Sequence, residues 1–522
     1  MMNRVERRVG PVVFHILVYA FYALLVFLAY GFALKLFFIQ DDFGFITRHL
    51  PGGNVQWKDT WRPEGIYYRP FTQHIWYFIV NPLFHRNPFP YHLTNLIVHI
   101  INIILVYHIG RSLTRNLHFG LFMGLIYATR TLAYQALVWP SAVNELIVTT
   151  FLFATFLSYQ RYVAGGSRRA WWGSVLLYLM AILSKENSPT LLILLFIYNA
   201  WIFLPGRLNG KRLRRILISL WPHILMVIAL AAVKFTQFSA IQRSDYRMAI
   251  SKLTIKTYLK FFLSFMNPPQ SSYGTWRELF FDKAELLLII AAVAAVCTIA
   301  LWFLALGYKR RLKSQEYGRP VALWEIGSVR LFIFGCAWWI ISFSVTAAMP
   351  QHAFQYYGLY PALGMSLAVG TIFFDILLSL AAFQRTGALG YILGFIISAF
   401  LVANYIFCVA GISKRDQFAT FYLASEAKRI EEALLKAAPN PPKGAHFIVV
   451  EGPDDFRWVT SSGDQLKMLY GDMSIKVSFP HIEDAATILA RGKPDYYIKF
   501  APGGSVVAKK QHTIEIGKYG GE

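Results

Sequence analysis

The chain has 522 residues, of which 56% are hydrophobic, and its mean hydropathy is +0.43. This apolar content is too high for a soluble protein of that size and indicates a polytopic membrane protein. The formal net charge of +23 would suit a nucleic-acid-binding protein, but the basic residues cluster in short loops between apolar runs, where they set membrane orientation. We therefore exclude nucleic acid as a partner and expect anionic membrane lipids instead.

The first apolar segment, residues 11–38, is too long for the core of a signal peptide and lacks a small-residue cleavage site after it. It is predicted to remain as a membrane span. Three basic residues precede it and favour a cytoplasmic N-terminus: Arg4, Arg7 and Arg8. The span delivers Asp41 and Asp42 to the outer side. Two carboxylates at the end of a membrane span cost free energy because they lie near hydrocarbon. The pair therefore marks either a solvated helix end or a functional site.

Residues 40–90 form a polar, aromatic outer loop, in which the short apolar piece 71–84 is predicted to be an interfacial helix. Further apolar segments follow at residues 92–113, 116–137, 141–163, 170–184, 188–204, 215–237, 284–307, 328–348, 354–378 and 387–411. With the first segment they predict about eleven spans. Basic residues recur in alternate loops, in agreement with the positive-inside rule. An odd number of spans places the C-terminus on the outer side.

From residue 412 the composition becomes polar and mixed. Residues 418–438 read as an amphipathic helix, and residues 446–450 and 496–500 as strands. The sequence thus predicts a polytopic α-helical membrane domain, residues 1–411, and a small α/β domain, residues 412–522, on the outer (periplasmic or lumenal) side. No catalytic motif is recognised in the second domain.

Two stretches of the first 102 residues carry a recognisable signature: Tyr68-Arg69-Pro70-Phe71-Thr72, and Asn87 to Leu96 with the sequence NPFPYHLTNL. They resemble the first outer loop and second span of the GT-C class of polytopic glycosyltransferases. The nearest likeness is to the transmembrane O-mannosyltransferases and their bacterial relatives that use polyprenyl-phosphate sugars. Residues 183–187 and 356–361 resemble further segments of the family. Thr131-Leu132 departs from the pattern, because the family has His-Pro there.

The resemblance implies that a sugar passes from a polyprenyl-phosphate carrier to an acceptor hydroxyl on the outer side, with inversion at the anomeric carbon. Asp41 and Asp42 match the family's acidic pair. A carboxylate within hydrogen-bond reach of the acceptor can take its proton as the new bond forms, and the sequence leaves open which Asp does so. Paired carboxylates also suit a divalent cation such as Mg²⁺ or Mn²⁺, and the sequence leaves metal binding open.

Seven further residues are candidates for binding the donor: Tyr68, Arg69, His92, Lys185, Glu186, His352 and Tyr357. The basic members are suited to stabilise the charge that grows on the leaving phosphate. Each has a structural alternative. Arg69 could pair with Asp42, Lys185 could be satisfied by Glu186, and the histidines and aromatic rings could be ordinary residues of the membrane interface.

Two other functions are compatible with a polytopic protein of this kind. A flippase or transporter of a lipid-linked sugar predicts ionisable residues near the middle of the spans and symmetry between halves, whereas the polar residues here gather at one membrane face. A non-catalytic scaffold predicts that the Asp pair is replaceable. We expect a glycosyltransferase in a bacterial inner membrane whose acceptor is a protein, a lipid or a polysaccharide.

Overall fold

The computed structural model describes residues 10–203, 208–242, 247–248, 250–266, 298–307, 309–311, 315–316, 327–349, 354–383, 388–416, 420–480, 482–502 and 512–518. Over these residues the chain is mainly helical, with a four-stranded sheet near its C-terminus. This confirms the predicted polytopic helical fold with a small C-terminal α/β region.

The helices before residue 266 are α1 (Pro11–Tyr30), α2 (Asp41–Thr47), α3 (Trp76–Phe84), α4 (Pro88–Thr114), α5 (Leu117–Ala128), α6 (Tyr134–Val138), α7 (Val143–Gly165), α8 (Arg168–Ile182), α9 (Thr190–Ile197), α10 (Gly210–Thr236), α11 (Phe238–Gln242) and α12 (Lys252–Phe265). Short 3₁₀ turns cover Gly31–Lys35, Trp57–Asp59, Thr131–Ala133 and Pro140–Ala142, and π-helical turns cover Pro70–Ile75 and Tyr198–Phe203. Residues 298–307 are also helical.

The later elements are α13 (Gly327–Ala347), the 3₁₀ turn Gln355–Gly358, α14 (Ala362–Phe383), α15 (Ala388–Asp416), α16 (Thr420–Ala437), β1 (His446–Glu451), α17 (Pro453–Val459), α18 (Asp464–Tyr470), β2 (Lys476–Ser478), α19 (Ala485–Ala490), β3 (Tyr496–Pro502) and β4 (His512–Lys518). The two predicted strands and the amphipathic helix are confirmed. Helix α15 continues past the predicted domain boundary at residue 412, so that boundary stays a prediction.

Seven of the described helices are long and apolar enough to cross a membrane: Val12–Lys35, Pro88–Thr114, Pro140–Gly165, Gly210–Thr236, Gly327–Ala347, Ala362–Leu380 and Ile392–Ala410. Helices α5 and α6 are bent by 48° and add an eighth if the pair is one span. Helices α8 and α9 coincide with two more predicted spans but are shorter, and the predicted span 284–307 lies largely outside the described residues. Eleven spans therefore stay a prediction.

Glycine allows α13 and α14 to touch through their backbones. A Cβ atom built on Gly335 would lie 2.7 Å from the carbonyl oxygen of Gly364, and one on Gly364 would lie 2.5 Å from that of Gly335. Small residues give membrane helices close contact without a hydrophobic driving force. Side-chain amides join other helices: Asn95 donates to the Ala136 carbonyl at 2.8 Å, and Asn102 to that of Leu146 at 3.0 Å.

A second apolar core lies at the end of the helical bundle where α1 ends. It combines buried residues of the outer loop with buried residues of the C-terminal region, including Phe38, Phe43, Ile46, Tyr77, Ile430, Phe447, Phe456, Leu466 and Phe500. The Thr47 hydroxyl donates to the Asp464 carbonyl at 3.2 Å, and the Arg86 guanidinium donates to that of Leu469. The outer loop and the C-terminal region therefore form one packed unit.

The sheet in that unit has the strand order β2-β1-β3-β4. Strand β1 pairs in parallel with β2 and with β3, and β3 pairs antiparallel with β4. Helix α17 follows β1, and α18 leads towards β2, so both connect parallel strands. Helix α18 packs directly against α2, which begins at the Asp pair. This contact brings the C-terminal region next to the predicted site.

Candidate functional site

A cavity of about 900 Å³ opens where the outer loop, the start of α7, the Lys185 segment and the C-terminal region meet. This volume is within the range of small-molecule sites. Its lining residues include Asp41, Gly44, Arg48, Glu64, Tyr67, Arg69, Ser141, Asn144, Glu145, Lys185, Tyr357, Ser461, Asp464, Lys467 and Met473. The cavity therefore unites Asp41, Arg69, Lys185 and Tyr357, four of the residues predicted from the sequence.

Asp41 begins helix α2 and is exposed to the cavity. The residue before it, Gln40, has a φ of +47°, in the left-handed region, which turns the chain sharply from the first span into α2. Surrounding protein atoms displace water and raise the pKa of the Asp41 carboxyl, while the charge of Arg48 opposes this rise. Asp41 is thus an accessible carboxylate with an increased affinity for a proton.

Asp42 has a different environment, because its side chain is buried and both of its oxygens accept hydrogen bonds. Oδ2 accepts from the Ile39 backbone at 2.9 Å, and Oδ1 accepts from the Ser141 backbone at 2.7 Å and from the Ser141 hydroxyl. Burial raises the pKa of Asp42 to about 7, although these hydrogen bonds favour the charged form. Asp42 therefore joins α2 to the turn before α7.

Glu186 lies at the centre of a group of three charged residues. Its Oε2 atom accepts from Arg69 Nε at 2.8 Å, and its Oε1 atom is 2.9 Å from Lys234 Nζ. Burial alone would raise the pKa of Glu186, but the two cations lower it to about 2. The alternative pairing of Arg69 with Asp42 is wrong, because Arg69 pairs with Glu186 and its guanidinium lies over the Tyr67 ring, 4.5 Å from the centroid.

Lys185 forms an ion pair with Glu145, and its ammonium lies 4.1 Å from the centroid of the Tyr357 ring. Burial lowers the pKa of Lys185 well below its usual value, and the charge of Arg69 adds to this effect. The pair and the ring both favour the charged form. The partner of Lys185 is thus Glu145 rather than Glu186. Sequence reasoning missed Glu145, although an acidic residue at the mouth of a span is a signal in itself.

Two of the other predicted residues, Tyr68 and His92, are described by the structure but do not line the cavity. Tyr68 contacts the charged group through its backbone N–H, which donates to Glu186 Oε1 at 3.3 Å. His92 is completely buried in α4 and does not line the cavity, so the structure gives it no contact with a substrate there. His352 lies outside the described residues.

A polar chain along the loop was also missed by the sequence analysis. Arg48 pairs with Glu64 at 2.5 Å, and Glu64 lies 3.9 Å from His74. His74 Nδ1 is 3.1 Å from Nε2 of His49, whose Nδ1 contacts the Phe45 carbonyl at 2.8 Å. Burial lowers the pKa of His49 to about 3, and it also lowers the pKa of His74. Burial therefore favours the neutral form of both imidazoles.

The acidic pair does not fit a chelated divalent cation. The Asp42 side chain is buried outside the cavity lining and accepts hydrogen bonds at both oxygens, so Asp41 is the one carboxylate of the pair that faces the cavity. Across the described part of the chain, no three His, Cys, Asp or Glu side chains are grouped as metal ligands. We therefore derive no chemical step through a metal at this position.

Comparison with known proteins supports the resemblance noted in the sequence. Residues 70–235 match the model of the dolichyl-phosphate-mannose-protein mannosyltransferase family. Protein O-mannosyl-transferase Tmtc2 of Drosophila melanogaster is 25% identical over 139 residues, which are 26% of this chain and 15% of that protein. The alignment thus spans a small part of that relative. These matches confirm a resemblance to the GT-C class of polytopic membrane glycosyltransferases.

Solved structures of the same class share low sequence identity with this chain. ArnT from Cupriavidus metallidurans, bound to undecaprenyl phosphate, is 12% identical with 93% of each chain covered and a TM-score of 0.46. The oligosaccharyltransferase AglB from Archaeoglobus fulgidus, in complex with an inhibitory peptide and a dolichol-phosphate, is 12% identical, with 93% of this chain and 69% of that chain covered, at a TM-score of 0.45. At these TM-scores the folds correspond only loosely.

Proposed function

We propose that this integral membrane protein transfers a sugar from a polyprenyl-phosphate carrier to a hydroxyl group of a polypeptide on the outer side of the membrane. The observation that carries the proposal is the cavity that places Asp41 together with Arg69 and Lys185. The family match to protein mannosyltransferases over residues 70–235 supports both the reaction and the polypeptide acceptor.

Asp41 is the better candidate for the general base. It is exposed to the cavity, whereas Asp42 is buried with both oxygens engaged. In a single displacement, Asp41 takes the proton of the acceptor hydroxyl while the hydroxyl oxygen of the acceptor forms a bond to the anomeric carbon. The bond from that carbon to the phosphate oxygen breaks, and its electron pair leaves with the lipid phosphate. Asp42 holds α2 in position.

The charges around Glu186 suit the leaving phosphate. Three cations, Arg69, Lys185 and Lys234, are set against two carboxylates, Glu145 and Glu186. One positive charge is left in excess on this side of the cavity. A phosphodiester donor carries one negative charge and its product carries more, so this excess stabilises the charge that develops during transfer.

The proposal is tested by mass spectrometry of glycopeptides, polysaccharides and lipids from a null strain and from strains that express wild type, Asp41→Asn or Asp42→Asn at equal membrane levels. We expect one sugar unit to disappear from peptides in the null strain. Asp41→Asn should lower transfer by about 10²–10⁴-fold, the usual contribution of a general base. Asp59→Asn, an outer-loop change outside the cavity lining, is the matched control.

Other outcomes point to other functions. Loss of the sugar from a polysaccharide or a lipid would support a transferase but would show that its acceptor is not a polypeptide. Loss of the sugar in the null strain with both Asp variants active would favour a transporter or scaffold. A null strain with unchanged glycans would contradict the proposal as a whole.

A further inference from the structure

The C-terminal region supplies one wall of the cavity, although its sequence carries no recognised catalytic motif. Ser461, Asp464, Lys467 and Met473 all line the cavity. A Cβ atom built on Gly44 would lie 3.3 Å from Ser461 Oγ and 3.4 Å from an Asp464 carboxylate oxygen. Gly44 is three residues after Asp41 in α2, and residues at this spacing share a helix face. Ser461 and Asp464 are therefore within about one helical turn of Asp41.

The turn that presents Ser461 is built at a conformational cost. Ser461, Ser462 and Gly463 have φ values of +54°, +57° and +93°. Residues with a side chain rarely adopt this region, because their Cβ atom comes too close to the following carbonyl oxygen. The turn is held by local bonds: the Ser462 N–H donates to the Arg457 carbonyl at 2.8 Å, and the Gly463 N–H to the Thr460 hydroxyl at 3.1 Å. The backbone of the turn that carries Ser461 is thus held beside α2.

The charges on this wall are balanced, in contrast to those around Glu186. Lys467 pairs with Asp464 at 2.9 Å, and about 30% of each side chain is exposed. Arg48 pairs with Glu64 on the adjoining loop. Such a wall offers hydrogen-bond donors and acceptors without net charge. It therefore suits the neutral hydroxyl and amide groups of a polypeptide better than it suits a lipid phosphate.

We propose that Ser461, Asp464 and Lys467 form the acceptor subsite, so that the C-terminal region selects the polypeptide whose hydroxyl reaches Asp41. The donor phosphate occupies the opposite side, by Arg69 and Lys185. This inference rests on the proposed transferase function. Ser461, Asp464 and Lys467 are specificity-determining residues in this view, and Asp41 remains the general base.

The test compares the double variant Asp464→Asn/Lys467→Ala with a matched double variant, Glu432→Gln/Lys436→Ala, whose residues are exposed on α16 outside the cavity lining. The full-length proteins are purified in detergent, and binding of undecaprenyl phosphate is measured as thermal stabilisation. The same variants are expressed in the null strain, and the modified peptides are quantified. Ser461→Ala, which removes a single hydroxyl, serves as a milder variant in both measurements.

We expect the cavity double variant to bind undecaprenyl phosphate like wild type but to modify about tenfold less peptide, which corresponds to the loss of one or two net hydrogen bonds. Ser461→Ala should modify an amount of peptide between those of wild type and the cavity double variant. The α16 variant should match wild type. If both cavity variants modify peptide like wild type while Asp41→Asn is inactive, the proposed acceptor subsite is wrong. The proposed transferase function is then still supported. Weakened undecaprenyl phosphate binding with normal peptide selection would place these residues on the donor side and would also overturn the acceptor subsite. Normal glycans in the null strain would remove both proposals.

Discussion

The carboxylate of Asp42 accepts a hydrogen bond of 2.7 Å from the backbone N–H of Ser141, 99 residues further along the chain. This bond fixes the start of α2 against the turn Pro140–Ala142, which leads into α7. The side chain of Asp42 is thereby turned away from the cavity, while its neighbour Asp41 is exposed to it. Adjacent residues of the same type thus receive different roles from their environments.

The raised pKa of Asp42 predicts a pH-dependent contribution to stability. Its folded-state pKa of about 7 exceeds the ordinary value of 3.8, so the folded protein binds this proton more tightly. Its contribution therefore becomes less favourable as the pH rises from about 4 to about 7. We expect the melting temperature of wild type, relative to Asp42→Asn, to increase as the pH is lowered through this window. A difference in melting temperature between the two proteins that is constant with pH would contradict the raised pKa of Asp42.

Arg48 should determine how far the pH can fall before activity is lost, because its charge acts on the pKa of Asp41. Burial raises the pKa of Asp41, and the positive charge of Arg48 holds it down. A general base must be unprotonated, so activity is lost as the pH falls through this pKa. Arg48→Gln should therefore move the acid limb of the pH–rate profile to higher pH. Arg62→Gln, whose side chain is 75% exposed, is the control and should leave the profile unchanged.

The ion pair between Lys185 and Glu145 should be more sensitive to single than to double substitution. The Glu145 side chain is almost completely buried, so Lys185→Met leaves an uncompensated charge, which typically costs about 3–5 kcal/mol. The double variant Lys185→Met/Glu145→Gln removes both charges and should regain most of this free energy of unfolding. It should remain impaired in transfer, although the net charge is unchanged, because the proposed phosphate site loses the Lys185 ammonium itself. Equal destabilisation by the single and double variants, measured in thermal unfolding, would argue against the pair.

The shared core predicts that the outer loop depends on the C-terminal region for its stability. Phe43 is completely buried among residues of both. Phe43→Ala should destabilise this core by about 3–5 kcal/mol and expose both segments to limited proteolysis. Leu83→Ala provides a control, because 69% of the Leu83 side chain is exposed. Cleavage confined to one of the two segments would show that they unfold independently.

Glycine is required more strictly at position 463 than at position 471. Both residues have positive φ, which penalises any side chain. A Cβ atom on Gly463 would also lie 2.5 Å from a methyl group of Val477, whereas one on Gly471 would meet only the flexible end of Arg86, at 2.8 Å. Gly463→Ala should therefore lower the melting temperature more than Gly471→Ala does. The opposite order would contradict the tight packing of the turn.

The sequence predicted the parts of this protein that depend on local pattern. Long apolar runs predicted most of the helices. Short runs of β-branched and aromatic residues predicted strands β1 and β3. Asp41, Arg69 and Lys185 were predicted because their segments resemble a known family, and all three line one cavity, although their roles stay a prediction. Glu145, Asp464 and Lys467 were not found, because only tertiary packing brings them to the cavity. His92 shows the converse case: it lies within the motif, but it is buried inside α4 and does not line the cavity.

The division of the second core between the first outer loop and the C-terminal region has a consequence for biosynthesis. A ribosome makes Phe43 long before it makes Phe447 or Phe500, and every intervening membrane segment must be inserted in between. Contacts between residues this distant in sequence form late. Asp41, the proposed general base, should therefore remain loosely held in the nascent protein and reach its working position only after the C-terminal region has been made and has packed against it. A partly synthesised or truncated chain would then be inert towards the lipid-linked sugars around it.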